Sequence, residues 1–105
     1  LLDGAEGEAS AAIAARVTRA YDTQVGRQGK ANAQLSVAEV ERHCRLDDAA
    51  AALLRAAIER LDWSARACHR VLKLARTIAD LDGAATIDST HAAEAIQYRR
   101  VLPAR

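Results

Sequence analysis

The sequence contains no Phe, no Met and a single Pro, and aromatic residues make up only 3% of its 105 positions. Strands favour aromatic and β-branched side chains, so a β-rich core has little to be built from. One proline leaves helical stretches almost uninterrupted. No apolar run approaches the ~20 residues needed to cross a bilayer, which excludes a transmembrane helix and, with it, a membrane partner. Charge of neither sign dominates: 15 Lys and Arg face 14 Asp and Glu, for a net charge of +1 and a pI near 8.0. Autonomous nucleic-acid-binding domains more often have a pI above ~9, so charge alone names no partner. Two cysteines, Cys44 and Cys68, are expected as small buried thiols in a reducing cytoplasm. Met is missing even at position 1, and Leu1-Leu2-Asp3 does not resemble a signal peptide; the chain is therefore expected to be a piece of a longer protein.

What is abundant is alanine, about a quarter of the chain, and alanine is the strongest helix former. Ile13, Val17, Ala20, Tyr21 and Gln24 recur at helical spacing and predict a first helix that ends around Gly26 to Gly29. Ser36 and Glu39 form a capping-box pattern that opens a second helix with Val37, Val40 and Cys44 on its apolar face. Asp47 caps a third, striped by Ala50, Leu53, Leu54, Ala57, Ile58 and Leu61. A fourth runs from Ser64 to about Asp82, with Gly83 as its stop, and a fifth from Asp88 to about Arg100. The expected fold is all-α, an antiparallel bundle of about five helices with the fourth at its centre. Residues 1–9 lack periodicity and are expected as a flexible linker, 10–102 as the helical domain and 103–105 as a tail.

Several chemistries find no support. His43-Cys44 and Cys68-His69 look like ligand pairs, but neighbouring helical residues point about 100° apart, so Cys68 and His69 do not converge on one ion. Gly26 to Ala31 has the wrong spacing for a phosphate-binding loop. Ser10, Ser36, Ser64 and Ser89 sit where helix starts are expected, and none joins a nucleophile triad. What remains is a basic stripe on helix four. Arg66, Arg70 and Lys73 lie opposite the apolar arc formed by Ala67, Cys68, Val71, Leu72, Leu74, Ala75, Ile78 and Ala79. Cations near a helix N-terminus suit a phosphate, and the same pattern also fits a solvated surface face.

Leu61 to Leu81 reads LDWSARACHRVLKLARTIADL and closely resembles the L-S-x-R-A … R-x-L-x-V-A-R-T-I-A-D-L stretch in the C-terminal domain of magnesium-chelatase-like AAA+ ATPases of the ComM/YifB type. The resemblance extends upstream through Arg16-Val17, Gln24, Arg27 and Asn32-Ala33-Gln34-Leu35, and downstream through His91, Glu94-Ala95 and Tyr98-Arg99. It implies a helical lid that follows a nucleotide-binding core in a homo-oligomeric, hexameric ATPase, with ATP and Mg²⁺ held mainly by that core. By the Ser-x-Arg pattern it places the sensor-2 role, contact with the nucleotide γ-phosphate, on Arg66, with Arg70, Lys73 and Arg76 as secondary basic candidates. It further implies a DNA partner for the parent protein, in DNA remodelling by branch migration during natural transformation. Metal insertion into a porphyrin, and a free-standing helical DNA-binding or protein-interaction module, are the alternatives. Trp63 stands where the pattern usually has leucine and is expected at the contact with the core. No catalytic residue and no metal site is expected within the fragment itself, which should lack ATPase activity.

Overall fold

A computed structural model describes the backbone of residues 2–101 and the side chains of residues 9–100. Five α-helices and one short 3-10 turn make up its regular elements: α1 (Leu2–Gln28), the 3-10 turn (Asn32–Gln34), α2 (Val37–His43), α3 (Asp48–Leu61), α4 (Ala65–Leu81) and α5 (Ser89–Val101). The domain is an all-α bundle. The tail expected at 103–105 lies outside the described residues. Of the expected linker, 1–9, only the side chain of Ala9 is described, and the helical backbone already begins at Leu2.

The helix starts follow their local chemistry. Ser36 accepts from the backbone of Glu39, whose carboxylate accepts in return from the Ser36 N–H. That backbone bond, reinforced by Lys30 Nζ at 2.9 Å, holds the Glu39 carboxyl down to about 2. Asp47 and Ser64 accept from the backbone N–H groups of Ala50 and Ala67. At α5 the reciprocal pair is Asp88 and His91: the Asp88 carboxylate accepts from the His91 N–H, and His91 Nδ1 accepts from the Asp88 N–H. With Nδ1 an acceptor, the ring proton of neutral His91 sits on Nε2 and is donated to Asp82 at 2.8 Å. Gly29 and Gly83, at φ 79° and 72°, turn the chain out of α1 and α4 through a region that a Cβ disfavours.

α4 is central: α1, the 3-10 turn, α2 and α5 pack on it, and α3 docks on α5. Val40, Ala50, Leu54, Val71, Ala75, Ala79, Ile87, Ala92 and Ala95 form the core, and its many alanines let the helix axes approach closely. Among the described residues a parallel bridge joins Leu46 to Ile87 immediately before α3 and α5, and the far ends of both helices, at Leu61 and Arg100, line one cleft, so the two helices start side by side and run in the same direction. Trp63 packs, partly buried, against this core.

Beside the apolar core lies a buried polar one. Asp80 accepts four hydrogen bonds, two from Arg27 at 2.9 and 3.0 Å, one from Asn32 Nδ2 at 2.9 Å and one from Arg76 Nε at 3.0 Å. Four matches the lone-pair capacity of a carboxylate. Arg76, only 1% exposed, also donates from Nη2 and Nη1 to the carbonyls of Ala84 and Ala85. Asn32 spends every polar atom of its side chain, on Arg27, Gln28, Thr77 and Asp80, while Gln24 receives its backbone N–H. No buried side-chain polar atom among the described residues lacks a partner.

Removing one member of a buried ion pair leaves the other charged and unsolvated, which typically costs about 3–5 kcal/mol. Asp80→Ala, which strands Arg76, is expected to fall in that range in urea unfolding. Arg27→Ala should cost less, because the Arg27 side chain keeps 23% of its surface in solvent. Equal losses for the two would show that the network does not centre on Asp80.

Candidate functional site

Ser64 ends the α3–α4 connection and caps α4, which puts Arg66 in the first helical turn with its side chain exposed. Arg70 and Lys73 follow one and two turns later on the same face. Together with His69, Ala65 and Leu74 they form one wall of an open groove of about 750 Å³, whose far side is Ala33 of the 3-10 turn and Val37 of α2. Lys73 is held there: its ammonium donates to the Ala33 carbonyl at 3.3 Å. Among the described residues neither Arg66 nor Arg70 forms an ion pair. The groove thus presents two uncommitted guanidinium groups next to the positive end of a helix, an arrangement that attracts a phosphate or a carboxylate.

The fourth basic candidate is elsewhere. Arg76 faces away from the groove and is committed to Asp80 and two backbone carbonyls. Burial draws its pKa below the ordinary arginine value, and the adjacent Asp80 opposes that shift. A group so placed holds the domain together and is not free to meet a ligand. Thr77, one residue on, bridges the two regions: it lines the groove and accepts from Asn32.

Periodicity placed Gln24 on the stripe of the first helix, where it is buried, but missed the buried polar residues Asn32, Asp80 and His91. One signal was present: Arg76 and Asp80 carry opposite charges four residues apart on one helix, the spacing of an ion pair. No group of three or more His, Cys, Asp or Glu suited to a metal occurs among the described residues. Nor is any helix among them long and apolar enough to cross a membrane.

Residues 7–99 match the family described as magnesium chelatase, subunit ChlI C-terminal. The chain belongs to that family. Its curated relatives include the competence protein ComM of Haemophilus influenzae, 44% identical over 99 residues, which cover 94% of this chain and 19% of ComM. The YifB proteins of Escherichia coli and Salmonella typhimurium are each 41% identical, over 90% and 91% of this chain and 19% of their own length. The chain therefore corresponds to the C-terminal domain of ComM/YifB proteins and spans about a fifth of their length. No solved structure gives a significant match. In this chain the A-R-T-I-A-D-L stretch, Ala75 to Leu81, holds the buried pair Arg76 and Asp80.

The two thiols differ in burial. Cys44 is buried in the core, and desolvation pushes its pKa up to about 11; Cys68 is half-buried and shifted upward for the same reason. At pH 8 Cys44 is then held as the thiol, and the thiolate is the reactive form. Alkylation of Cys44 by iodoacetamide at pH 8 should be at least roughly tenfold slower in the folded domain than in urea. Equal rates in the two conditions would contradict the buried position.

Proposed function

We propose that this domain is the lid of a magnesium-chelatase-like AAA+ ATPase, and that Arg66 acts there as the sensor-2 arginine on the nucleotide γ-phosphate. The observation that supports it is the placement of Arg66: exposed, unpaired among the described residues, in the first turn of α4 and at the mouth of the basic groove. Its planar fork donates to two phosphate oxygens at once, which the point charge of lysine does not reproduce. Arg70 and Lys73 lie farther from the helix start and add long-range attraction. ATP and Mg²⁺ would be held mainly by the core that precedes the lid, in a homohexameric cytoplasmic ring.

For the work done by that ring we favour DNA remodelling by branch migration over metal insertion into a porphyrin, because a relative sharing 44% identity is named a competence protein. A free-standing DNA-binding module is the less favoured reading. A net charge of +1 on the whole chain supplies little of the phosphate attraction that such a module needs.

In the full-length protein, Arg66→Ala is expected to lower ATP hydrolysis at least roughly tenfold, and Arg66→Lys should not restore it, since cationic contacts to a transferring phosphoryl group are worth about 10³-fold or more. The thermal midpoint of the isolated domain should stay within about a degree or two, as for other exposed substitutions. Parent-level hydrolysis by a normally assembled Arg66→Ala ring would refute the assignment. The fragment alone should neither hydrolyse ATP nor bind duplex DNA at moderate salt. Tight, steeply salt-dependent DNA binding by the fragment would favour the free-standing module.

A further inference from the structure

α1 is longer than the surface it packs on. It runs antiparallel to α4: its C-terminal end meets Asp80 through Arg27, whereas Arg16, Arg19 and Thr23 flank a cleft of about 310 Å³ beside Leu81 to Gly83, the end of α4. Beyond that point nothing among the described residues covers it. From Ala9 to Arg19 every described side chain is exposed, over about 16 Å of helix. Yet the inward-facing stripe continues. At about 100° per residue Ile13 and Val17 fall in the same arc of roughly 60° as Ala20 and Gln24, which are buried. Ile13 is 57% exposed and Val17 52%, and Tyr21 and Val25 extend the apolar strip around the helix edge at 54% and 40%.

We infer that this overhanging half of α1 is a docking ridge for the polypeptide that precedes the domain in the full-length chain. Curated relatives carry about four-fifths of their length outside the matched region, and the matching family is a C-terminal one, so in a chain of that kind the preceding polypeptide arrives at the N-terminal end of α1. It is thus tethered within a few turns of the ridge, at high effective concentration. Arg16 and Arg19, which form no ion pair among the described residues, stand at the root of the ridge and select an apolar surface with an acidic margin.

This inference rests on reading the chain as one domain of a longer protein and is independent of Arg66. The test places a photo-reactive diazirine side chain at position 13 or 17 of the full-length protein, with position 22, on the outer side of α1, as control. Equal mixtures of isotope-labelled and unlabelled copies distinguish crosslinks within a chain from those between chains. Crosslinks from positions 13 and 17 to the preceding polypeptide of the same chain are expected in at least roughly fivefold greater yield than from position 22, because a buried contact excludes solvent. Yields equal to the control would overturn the inference. Crosslinks joining labelled to unlabelled copies would overturn it too, by making the ridge a contact between protomers. Repeating the crosslink in an Arg66→Ala chain separates the two readings: a persistent crosslink with unchanged hydrolysis removes the sensor and leaves the ridge standing.

Discussion

The buried polar contacts that fix α1 and the 3-10 turn against α4 converge on one carboxylate. Asp80 sits on the last turns of α4 and draws in Arg27 from the end of α1, Asn32 from the 3-10 turn and Arg76 from its own helix. Arg76 in turn clasps the carbonyls of the loop leading to α5. Buried ion pairs are poor sources of net stability, because desolvating both charges offsets most of their attraction. What such a network supplies is uniqueness. Small, smooth alanine faces tolerate sliding and rotation, whereas a fully satisfied set of directional bonds allows one register of α1 against α4.

That register has a consequence for the basic groove. Asn32 is anchored from several directions, and the next residue, Ala33, is the far wall of the groove and the acceptor for Lys73. Thr77 participates in both the polar network and the groove lining. The structural core of buried charge and the exposed face with Arg66 are therefore neighbours on the same helix. One side of α4 fixes the domain, and the other offers its cations to whatever phosphate or carboxylate is presented. Arg66 and Arg76 differ in sequence only by position, but one is exposed and the other has no surface to offer.

Helix boundaries were legible because they depend on local chemistry. Ser36, Asp47, Ser64 and Asp88 each satisfy an N–H within three residues, and Gly29 and Gly83 supply positive φ without reference to the rest of the fold. The apolar arc of α4 was legible for a similar reason, since helical period alone groups Ala67, Val71, Ala75 and Ala79. The stripe on α1 was read with the right period, but the period does not say how much of the stripe is buried within the domain. Ile13, Val17 and Tyr21 point where the pattern says, but burial requires a partner of matching length, and α4 ends too soon.

The sequence by itself therefore determined the helices, their caps, the all-α class and the basic face with Arg66, because each rests on contacts spanning a few residues. Only the tertiary structure decided that Arg76 is a buried structural cation, that Asp80 gathers side chains 48 and 53 positions away, and that α3 and α5 run side by side from the Leu46–Ile87 bridge. Such outcomes depend on which surfaces meet, and helical periodicity contains no record of the partner.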